Sequence, residues 1–528
     1  MQRRTFITAS AAALAAPSLA RAQSASVFKW IPQADISSLD PVWTTAYVAR
    51  THGFLVFDTL YGQSGPHGGY TATPQMVEGH VIENDGKTWK LTLREGLLFH
   101  DGTKVLARDC VASIKRWAAR DTLGLTLMSI TNELTAPDDK TIVFRLKKPF
   151  PLLAEALGKT GSPCCVIMPE RLANTDPFKQ VTEMVGSGPY RFKPDERVQG
   201  AFFAYERFQN YLPRPTGETE WISGPKIAHF DRVEFHVIPD ASTAAAAMKS
   251  GEMDGWEFPT GDLLPLLDRE RHLKRELVYE TGFAVFCRLN HRQPPFDNPA
   301  IRRALFAAID QDAAIIAAMG DDPTLRKNPC GFFPPGSPMA SDVGMQNILP
   351  RPDYDKAKTA LKEAGYKGET IAFMVATDIP IFKAAGQIMA DSMQRAGLNV
   401  AVQASDFGTI IQRRASKKPV SEGGWSAFCV MTSSGEFFTP ATHNTLRGDG
   451  DTAWFGWPTS PRLESLRDTW LDAPDLATQK KLAAEIQAQA FIDVPYLPLG
   501  ALYNPSIYRR DVTNIVHGFP VFWNMKRA

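Results

Sequence analysis

Three stretches decide the fold: Trp89–Ala107 reads WKLTLREGLLFHDGTKVLA, Gly186–Phe192 reads GSGPYRF, and Asn290–Asp310 reads NHRQPPFDNPAIRRALFAAID. The first begins as a strand, because its apolar side chains alternate onto one face. The third leads into a helix predicted over Ile301–Met319, with Asn298 as its cap. FHDG and GSGPY, rich in Gly, Pro, Ser and Asp, are typical of tight turns. The chain therefore mixes strands and helices joined by sharp turns.

The rest of the chain alternates in the same way. Strands are predicted at Thr141–Leu146, Arg232–Ile238 and Asn399–Gln403, and helices at Tyr354–Ala364, Ala384–Ala396 and Gln479–Ile492. Gly365 and Gly397 end the first two of these helices. The stretch Thr370–Gln403 is strand, helix, strand, an order that favours a parallel sheet covered by helices. These patterns indicate the α/β class.

Further motifs follow one another in a fixed order. They are Ser38–Pro41 (SLDP), Phe57–Tyr61 (FDTLY), Phe99–Gly102 (FHDG), Ser250–Asp254 (SGEMD), Pro294–Phe296 (PPF), Tyr354–Tyr366 (YDKAKTALKEAGY) and Val494–Pro498 (VPYLP). Each motif is weak alone, but together they cover most of the chain. In this order they resemble the family 5 extracellular solute-binding proteins, the dipeptide- and oligopeptide-binding subunits of ABC importers.

The resemblance implies a two-lobed periplasmic binding protein fold, type II-like and of cluster C, with an extra subdomain inserted in lobe one. The expected bounds are lobe one at 23–285 plus 496–528, its inserted subdomain at about 63–185, and lobe two at 286–495. Two segments are expected to cross between the lobes, near Val285–Asn290 and Tyr496–Ala501.

The same resemblance implies a binding protein and not an enzyme. A solute that touches both lobes favours a closed form, which then docks on an inner-membrane ABC permease with its ATPases. The ligand implied is a peptide or peptide-like solute. The alternative is a non-peptide solute such as an opine, a sugar conjugate or a nickel complex. A periplasmic hydrolase, and a chaperone or chemoreceptor partner on the same fold, are the other classes considered. The protein is expected to be a monomer that meets the membrane only peripherally.

The N-terminus predicts export. Arg3 and Arg4 precede a short apolar stretch rich in alanine, and Ala20-Arg21-Ala22 ends it in a small-x-small pattern. We therefore expect a signal peptide over residues 1–22, cleaved near Ala22, and a periplasmic mature protein. The paired arginines resemble a twin-arginine signal, with an ordinary Sec signal as the alternative.

The net charge, the motifs and the cysteine spacing bear on which classes of protein this chain can belong to. The formal net charge is +1 and three arginines lie in the signal peptide, so the mature chain has no basic surplus for nucleic acid. The sequence contains no HExxH, P-loop or GxGxxG motif, and we expect no metal and no cofactor. None of the six cysteines forms a CxxC motif. Cys287 and Cys429 can pair in an oxidising compartment, or all six remain small buried apolar side chains.

Two motifs invite a catalytic interpretation. In FHDG, His100 and Asp101 are neighbours, and adjacent side chains on an extended chain point to opposite sides. GSGPY places Ser187 between glycines but lacks the spacing of a nucleophile elbow. Both motifs therefore predict turns, and no nucleophile–base motif supports a hydrolase.

The resemblance also locates the ligand site. In dipeptide binders of the family, an Asp in the segment matching Phe428–Phe438 holds the ligand's amino terminus, and an Arg near the segment matching Ala376–Pro380 holds its carboxylate. Here Ser433 lies near the Asp position and the second segment contains no Arg, which disfavours free dipeptides. Glu436, Arg413 and Arg414 are possible substitutes. The predicted ligand-binding residues are Trp43, Thr44, Tyr47, Trp425, Thr432, Ser433, Ser434, Tyr503 and Asn504.

Overall fold

Two large sheets organise the protein, and the computed structural model describes residues 26–528. The expected signal peptide, 1–22, lies outside the described residues. The first sheet has the order Tyr190–Phe192, Phe202–Arg207, Arg232–His236, Val27–Ile31, Gly255–Trp256, Ser506–Arg509 and Leu273–Glu276. The second sheet has the order Asn399–Ser405, Thr370–Ala376, Ala427–Ser433, Phe283–Leu289 and Leu497–Leu502. Each sheet mixes parallel and antiparallel pairs.

We call the part of the chain built on the first large sheet the first unit and the part built on the second large sheet the second unit; smaller sheets and the helices complete them. A third sheet joins Val77–Glu83, Thr88–Leu93, Thr141–Leu146 and Thr131–Thr135. Two-stranded pairs join Asp58–Thr59 to Val166–Ile167, Tyr61–Gln63 to Ala72–Pro74, and Val512–Thr513 to Lys526–Arg527. The α-helices are Tyr47–Val56, Ala107–Ala118, Thr122–Ser129, Leu153–Gly158, Glu170–Ala173, Ala241–Lys249, Leu264–Leu267, Pro299–Ala304, Ala313–Met319, Tyr354–Glu363, Pro380–Arg395, Phe407–Arg413, Pro461–Leu471 and Leu476–Asp493. Within residues 26–528, none of these helices is long and apolar enough to span a membrane.

The chain passes twice between the two large sheets. It leaves the first sheet at Glu276 and enters the second at Phe283, and it returns between Leu502 and Ser506. The crossings expected at 285–290 and 496–501 fall within strands of the second sheet, because their apolar residues pair there. The connections therefore lie just before the first expected segment and just after the second. The third sheet lies within the range expected for the inserted subdomain, whose bounds stay a prediction.

The strand–helix–strand prediction for residues 370–403 is confirmed. Thr370–Ala376 pairs in parallel with Asn399–Ser405, and the helix Pro380–Arg395 connects them. Gly397 has a φ of 92°, a left-handed value that favours glycine, so it ends the helix as expected.

The single helix predicted over Ile301–Met319 is wrong. The structure has a helix at Pro299–Ala304, a 3₁₀ turn at Leu305–Ala308, and a second helix at Ala313–Met319. The Asp310 carboxylate accepts hydrogen bonds from the N–H groups of Asp312 and Ala313 and so begins the second helix. The capping chemistry of Asp310 outweighs the helical spacing of apolar residues around it.

FHDG and GSGPY pack against each other. The His100 Nε2–H donates to the Gly188 carbonyl at 3.0 Å, and the Gly186 N–H donates to His100 Nδ1 at 3.4 Å. Burial lowers the pKa of His100 to about 4, so the ring is neutral at pH 7. A Cβ on Gly186 would lie 2.1 Å from the Val56 carbonyl oxygen, which explains the glycine. Both motifs therefore have a structural role, and the prediction that they form turns is confirmed.

The SLDP and FDTLY motifs each supply a buried acid. Asp40 pairs with Arg116 at 2.8 Å and also accepts the N–H of Val181. Asp58 pairs with Lys226 at 2.7 Å, with both side chains almost fully buried. A buried charge needs such a partner, so these motifs hold separate segments of the first unit together.

The six cysteines of the chain are free, buried thiols in this structure. Cys287 and Cys429 lie directly opposite each other on neighbouring antiparallel strands of the second sheet. The pairing of their sulfurs in an oxidising compartment stays a prediction.

Candidate functional site

Most of the predicted ligand-binding residues meet where the chain crosses between the sheets. Tyr47 comes from the first unit, at the start of the helix Tyr47–Val56. Thr432 and Ser433 end a strand of the second sheet. The Ser433 N–H donates to the Tyr47 Oη, which lies 3.0 Å from the Thr432 Oγ1. These bonds join the two units directly, and we call the region around Tyr47, Thr432, Ser433 and the crossing segments the cleft.

The hydrogen bonds continue as a chain to an acid. The Thr432 hydroxyl donates to the Glu436 carboxylate at 2.7 Å, so the Tyr47 hydroxyl is left to donate to Thr432. Burial, followed by the nearby Glu436 charge, raises the pKa of the Tyr47 hydroxyl well above its ordinary value. Tyr47 therefore keeps its proton at neutral pH. Hydrogen bonds linked in this way polarise one another.

Three more contacts join the units around this chain. The Thr122 hydroxyl donates to the Asn444 Oδ1 at 2.6 Å. At the surface, Lys148 pairs with Asp472 at 2.8 Å. The rings of Tyr70 and Phe438 meet edge to face, with centroids 5.0 Å apart. The structure thus has the two units in direct contact at several points.

The first crossing segment meets the second at a glycine. Gly282 has a φ of 66°, and a Cβ there would lie 2.6 Å from the Leu502 carbonyl oxygen. The Gly282 carbonyl accepts the N–H of Ser434, and the Tyr503 ring lies beside it. The Ser434 Oγ and the Asn504 Oδ1 are buried here without a hydrogen-bond partner in residues 26–528. Both atoms lie at the crossing segments.

Three predicted residues lie elsewhere. Trp425 is fully buried in the core of the second unit, where its ring packs on Phe428 and its N–H donates to the Arg414 carbonyl. The Trp43 indole N–H donates to the Phe178 carbonyl of its own unit. The Thr44 Oγ1 accepts the N–H of Ala46 just before the helix Tyr47–Val56. These contacts lie within each residue's own unit. In residues 26–528, none of the three side chains hydrogen-bonds to Tyr47, Thr432 or Ser433.

Two of the possible substitutes for the family's charged anchors also lie elsewhere. The Arg413 guanidinium donates to the Gly423 and Gly424 carbonyls, and that of Arg414 lies over the Trp454 and Phe455 rings. Only Glu436 of the three joins the cleft.

The sequence alone did not indicate several polar residues near the cleft. Arg50 is 3% exposed and lies between the Tyr47 and Phe519 rings. Glu257 is buried and accepts the Tyr279 hydroxyl at 2.7 Å, and burial raises the pKa of its carboxyl. No motif marks these residues, and only the fold brings them together. In residues 26–528, no group of three or more His, Cys, Asp or Glu side chains could hold a metal ion.

A histidine at the first crossing makes stability depend on pH. The neighbouring Glu276 carboxylate, followed by that of Glu280, raises the pKa of His517 to about 9. Because the folded value exceeds the ordinary 6.5, the stabilisation is complete below about pH 6.5 and is lost as pH rises through 9. We expect the melting temperature of the wild type to fall over this window relative to that of His517→Asn. Thermal melts of both proteins from pH 6 to 9.5 test this, and parallel curves would contradict it.

Comparison with known proteins identifies the family. Residues 71–449 match the model of the bacterial extracellular solute-binding proteins, family 5. A relative named "Probable peptide ABC transporter periplasmic-binding protein y4tO", from Sinorhizobium fredii, is 37% identical over 98% of both chains. Two solved structures share the fold at a TM-score of 0.77 and 21% identity, each over 95% of this chain and 98% of the other. They are AgaA of A. tumefaciens R10 with agropinic acid, and DppA of Helicobacter pylori with the peptide STSA.

These likenesses confirm the two-lobed α/β fold. We call the unit built on the first large sheet lobe one and the unit built on the second lobe two, and the residue bounds of the lobes stay a prediction. They also agree with the motif order of the sequence. The chain belongs to family 5 of the bacterial extracellular solute-binding proteins.

Proposed function

We propose that this protein is the periplasmic substrate-binding subunit of an ABC importer, which captures a peptide or peptide-like solute by lobe closure and delivers it unaltered to the permease. The observation that carries the proposal is the hydrogen-bond chain from Ser433 through Tyr47 and Thr432 to Glu436. Lobe one supplies one link of this chain and lobe two supplies the others. Such a chain of hydrogen bonds forms only when the lobes meet, so it stabilises the closed form.

The free energy of solute binding and the free energy of lobe closure are coupled. A ligand shifts the balance only by its extra contacts in the closed form, and contacts between the lobes add to the same balance. The unpartnered Ser434 Oγ and Asn504 Oδ1 and the Glu436 carboxylate lie beside the crossing segments. Glu436 is our candidate for holding an amino group of the solute, in place of the Asp that the sequence lacks.

The proposed activity is binding of the solute without any reaction of it. His100 is neutral and its ring nitrogens are occupied by the backbone of the GSGPY turn. Delivery to a permease, peripheral docking and a monomeric state belong to this proposal, as does a periplasmic location. A non-peptide solute, such as an opine, a sugar conjugate or a nickel complex, is the alternative ligand.

Tyr47→Phe tests the closure mechanism. Two hydrogen bonds of about 1 kcal/mol each are lost only from the closed form, so affinity for the co-purifying solute should fall by as much as roughly thirtyfold. Native mass spectrometry identifies that solute, and calorimetry with it gives the affinity. Small-angle scattering should show a larger radius of gyration for the ligand-free variant than for the ligand-free wild type.

Tyr190→Phe is the matched control. Tyr190 lies on an edge strand of the first sheet, and its hydroxyl donates to the Phe522 carbonyl inside lobe one. Its removal should lower stability slightly and leave affinity unchanged. The proposal fails if Tyr47→Phe behaves like this control, if scattering does not change with solute, or if the protein releases the solute chemically altered.

A further inference from the structure

Arg50 is a buried cation beside the contact between the lobes. Its guanidinium carbon lies 4.5 Å from the centroid of the Tyr47 ring and 4.4 Å from that of Phe519. The Tyr47 hydroxyl reaches lobe two, so Arg50 lies directly beneath the contact between the lobes. The two rings hold the flat guanidinium between their faces, which fixes its plane.

Arg50 differs from the other buried arginines. Five arginines are almost fully buried in the described part of the chain: Arg50, Arg116, Arg288, Arg302 and Arg467. The last four each donate to carboxylate or backbone carbonyl oxygens, although the Arg116 Nε and Nη1 are also buried without a partner in residues 26–528. Of the five, only Arg50 makes no side-chain hydrogen bond in the described residues. The Arg50 Nε and Nη2 are sealed from solvent and find no acceptor within residues 26–528.

A cation in this position is costly to the folded protein. Arginine keeps its positive charge in proteins, and aromatic faces replace only part of the water that burial removes. Glu257 is the nearby acid of lobe one, and its carboxylate is already bonded to Tyr279 and Gln33. Functional sites are among the places where proteins leave buried polar groups without a partner.

We propose that Arg50 anchors a carboxylate of the captured solute, held from lobe one beneath the Tyr47 contact between the lobes. This inference rests on the proposed function of solute capture. The planar, two-pronged guanidinium matches a carboxylate, and the stacked rings hold it ready. The anchor replaces the lobe-two arginine that the family resemblance led us to expect near residues 376–380. The carboxylate belongs either to a peptide C-terminus or to an acidic non-peptide solute.

The test compares Arg50→Met with the wild type, both freed of co-purified solute. Melting temperatures are measured without additive and with acetate, with its uncharged analogue acetamide, and with agropinic acid. The peptide Ser-Thr-Ser-Ala is added as the free acid and as the C-terminal amide. We expect acetate, but not acetamide, to raise the melting temperature of the wild type only. For any larger acid that binds, the variant should bind roughly 10- to 150-fold more weakly. A preference for the peptide acid over its amide indicates a peptide source, and a response to agropinic acid indicates a non-peptide source.

Arg467→Met is the control, because Arg467 is equally buried but donates to the Pro440 carbonyl in lobe two. This control should melt lower and keep its carboxylate response, whereas ligand-free Arg50→Met should melt as high as the wild type or higher. The proposal is overturned if Arg50→Met melts like Arg467→Met, if it keeps the carboxylate response, or if no carboxylate stabilises the wild type. Closure around an uncharged solute, seen by scattering in both proteins, would then leave solute capture standing without this anchor.

Discussion

Replacing Arg116 by methionine is expected to lower the free energy of unfolding of lobe one by about 3–5 kcal/mol. Arg116 and Asp40 are 1% and 0% exposed and pair at 2.8 Å. Without the guanidinium, the Asp40 carboxylate stays buried and keeps only backbone N–H partners, such as those of Val42 and Val181. Arg116 also donates to the Lys179 carbonyl, so the change frees one more segment. Denaturant unfolding followed by circular dichroism measures the loss.

An exposed ion pair is the comparison for Arg116→Met. Lys90 and Glu83 pair at 2.9 Å on the third sheet, with both side chains more than two-fifths exposed. Glu83→Gln should therefore change the free energy of unfolding by less than about 1 kcal/mol. Similar losses in the two variants would show that burial of the Asp40–Arg116 pair adds nothing.

Local patterns predicted the elements whose apolar faces and end signals agree. The strand Thr141–Leu146 has the predicted bounds, and the helix Pro380–Arg395 ends before Gly397 as its sequence indicates. Motif order predicted the family, and several of the motifs contact residues far along the chain. FHDG, for example, lies against GSGPY through the His100 ring. Such long-range contacts are visible in sequence only as a resemblance to known chains.

The cleft was less predictable, since its residues meet only in the fold. Tyr47, Ser433 and Asn504 could be proposed from family position, and the structure places each beside a crossing segment. Trp425 could not be assigned, because an aromatic side chain fits a core as well as a binding wall. Arg50 gave no signal, because it lies within an otherwise unremarkable helix. The role proposed for Arg50 follows only from the groups around its guanidinium in the fold.

Arg288→Met should damage lobe two as severely as Arg116→Met damages lobe one. Arg288 is fully buried on the strand Phe283–Leu289, where burial lowers the pKa of its guanidinium to about 9. The guanidinium donates to four carbonyls, those of Thr445, Trp454, Phe455 and Pro495. Methionine fills similar space but leaves the Thr445, Phe455 and Pro495 carbonyls unpaired, at about 1–3 kcal/mol each before relaxation. The Trp454 carbonyl keeps the N–H of Trp457. We expect a loss of at least about 3 kcal/mol.

The damage should be local, because the four carbonyls all belong to segments around the second sheet. Amide hydrogen exchange should quicken in the strands Phe283–Leu289 and Ala427–Ser433 and change little in Val27–Ile31 of the first sheet. Arg303→Met is the matched control, since exposed Arg303 donates only to the Ile492 carbonyl, and it should cost less than about 1 kcal/mol. Equal quickening in both sheets would mean that the lobes unfold as one unit. A solute that binds both lobes should slow exchange in both sheets of the wild type, because its binding free energy adds to the folded state as a whole.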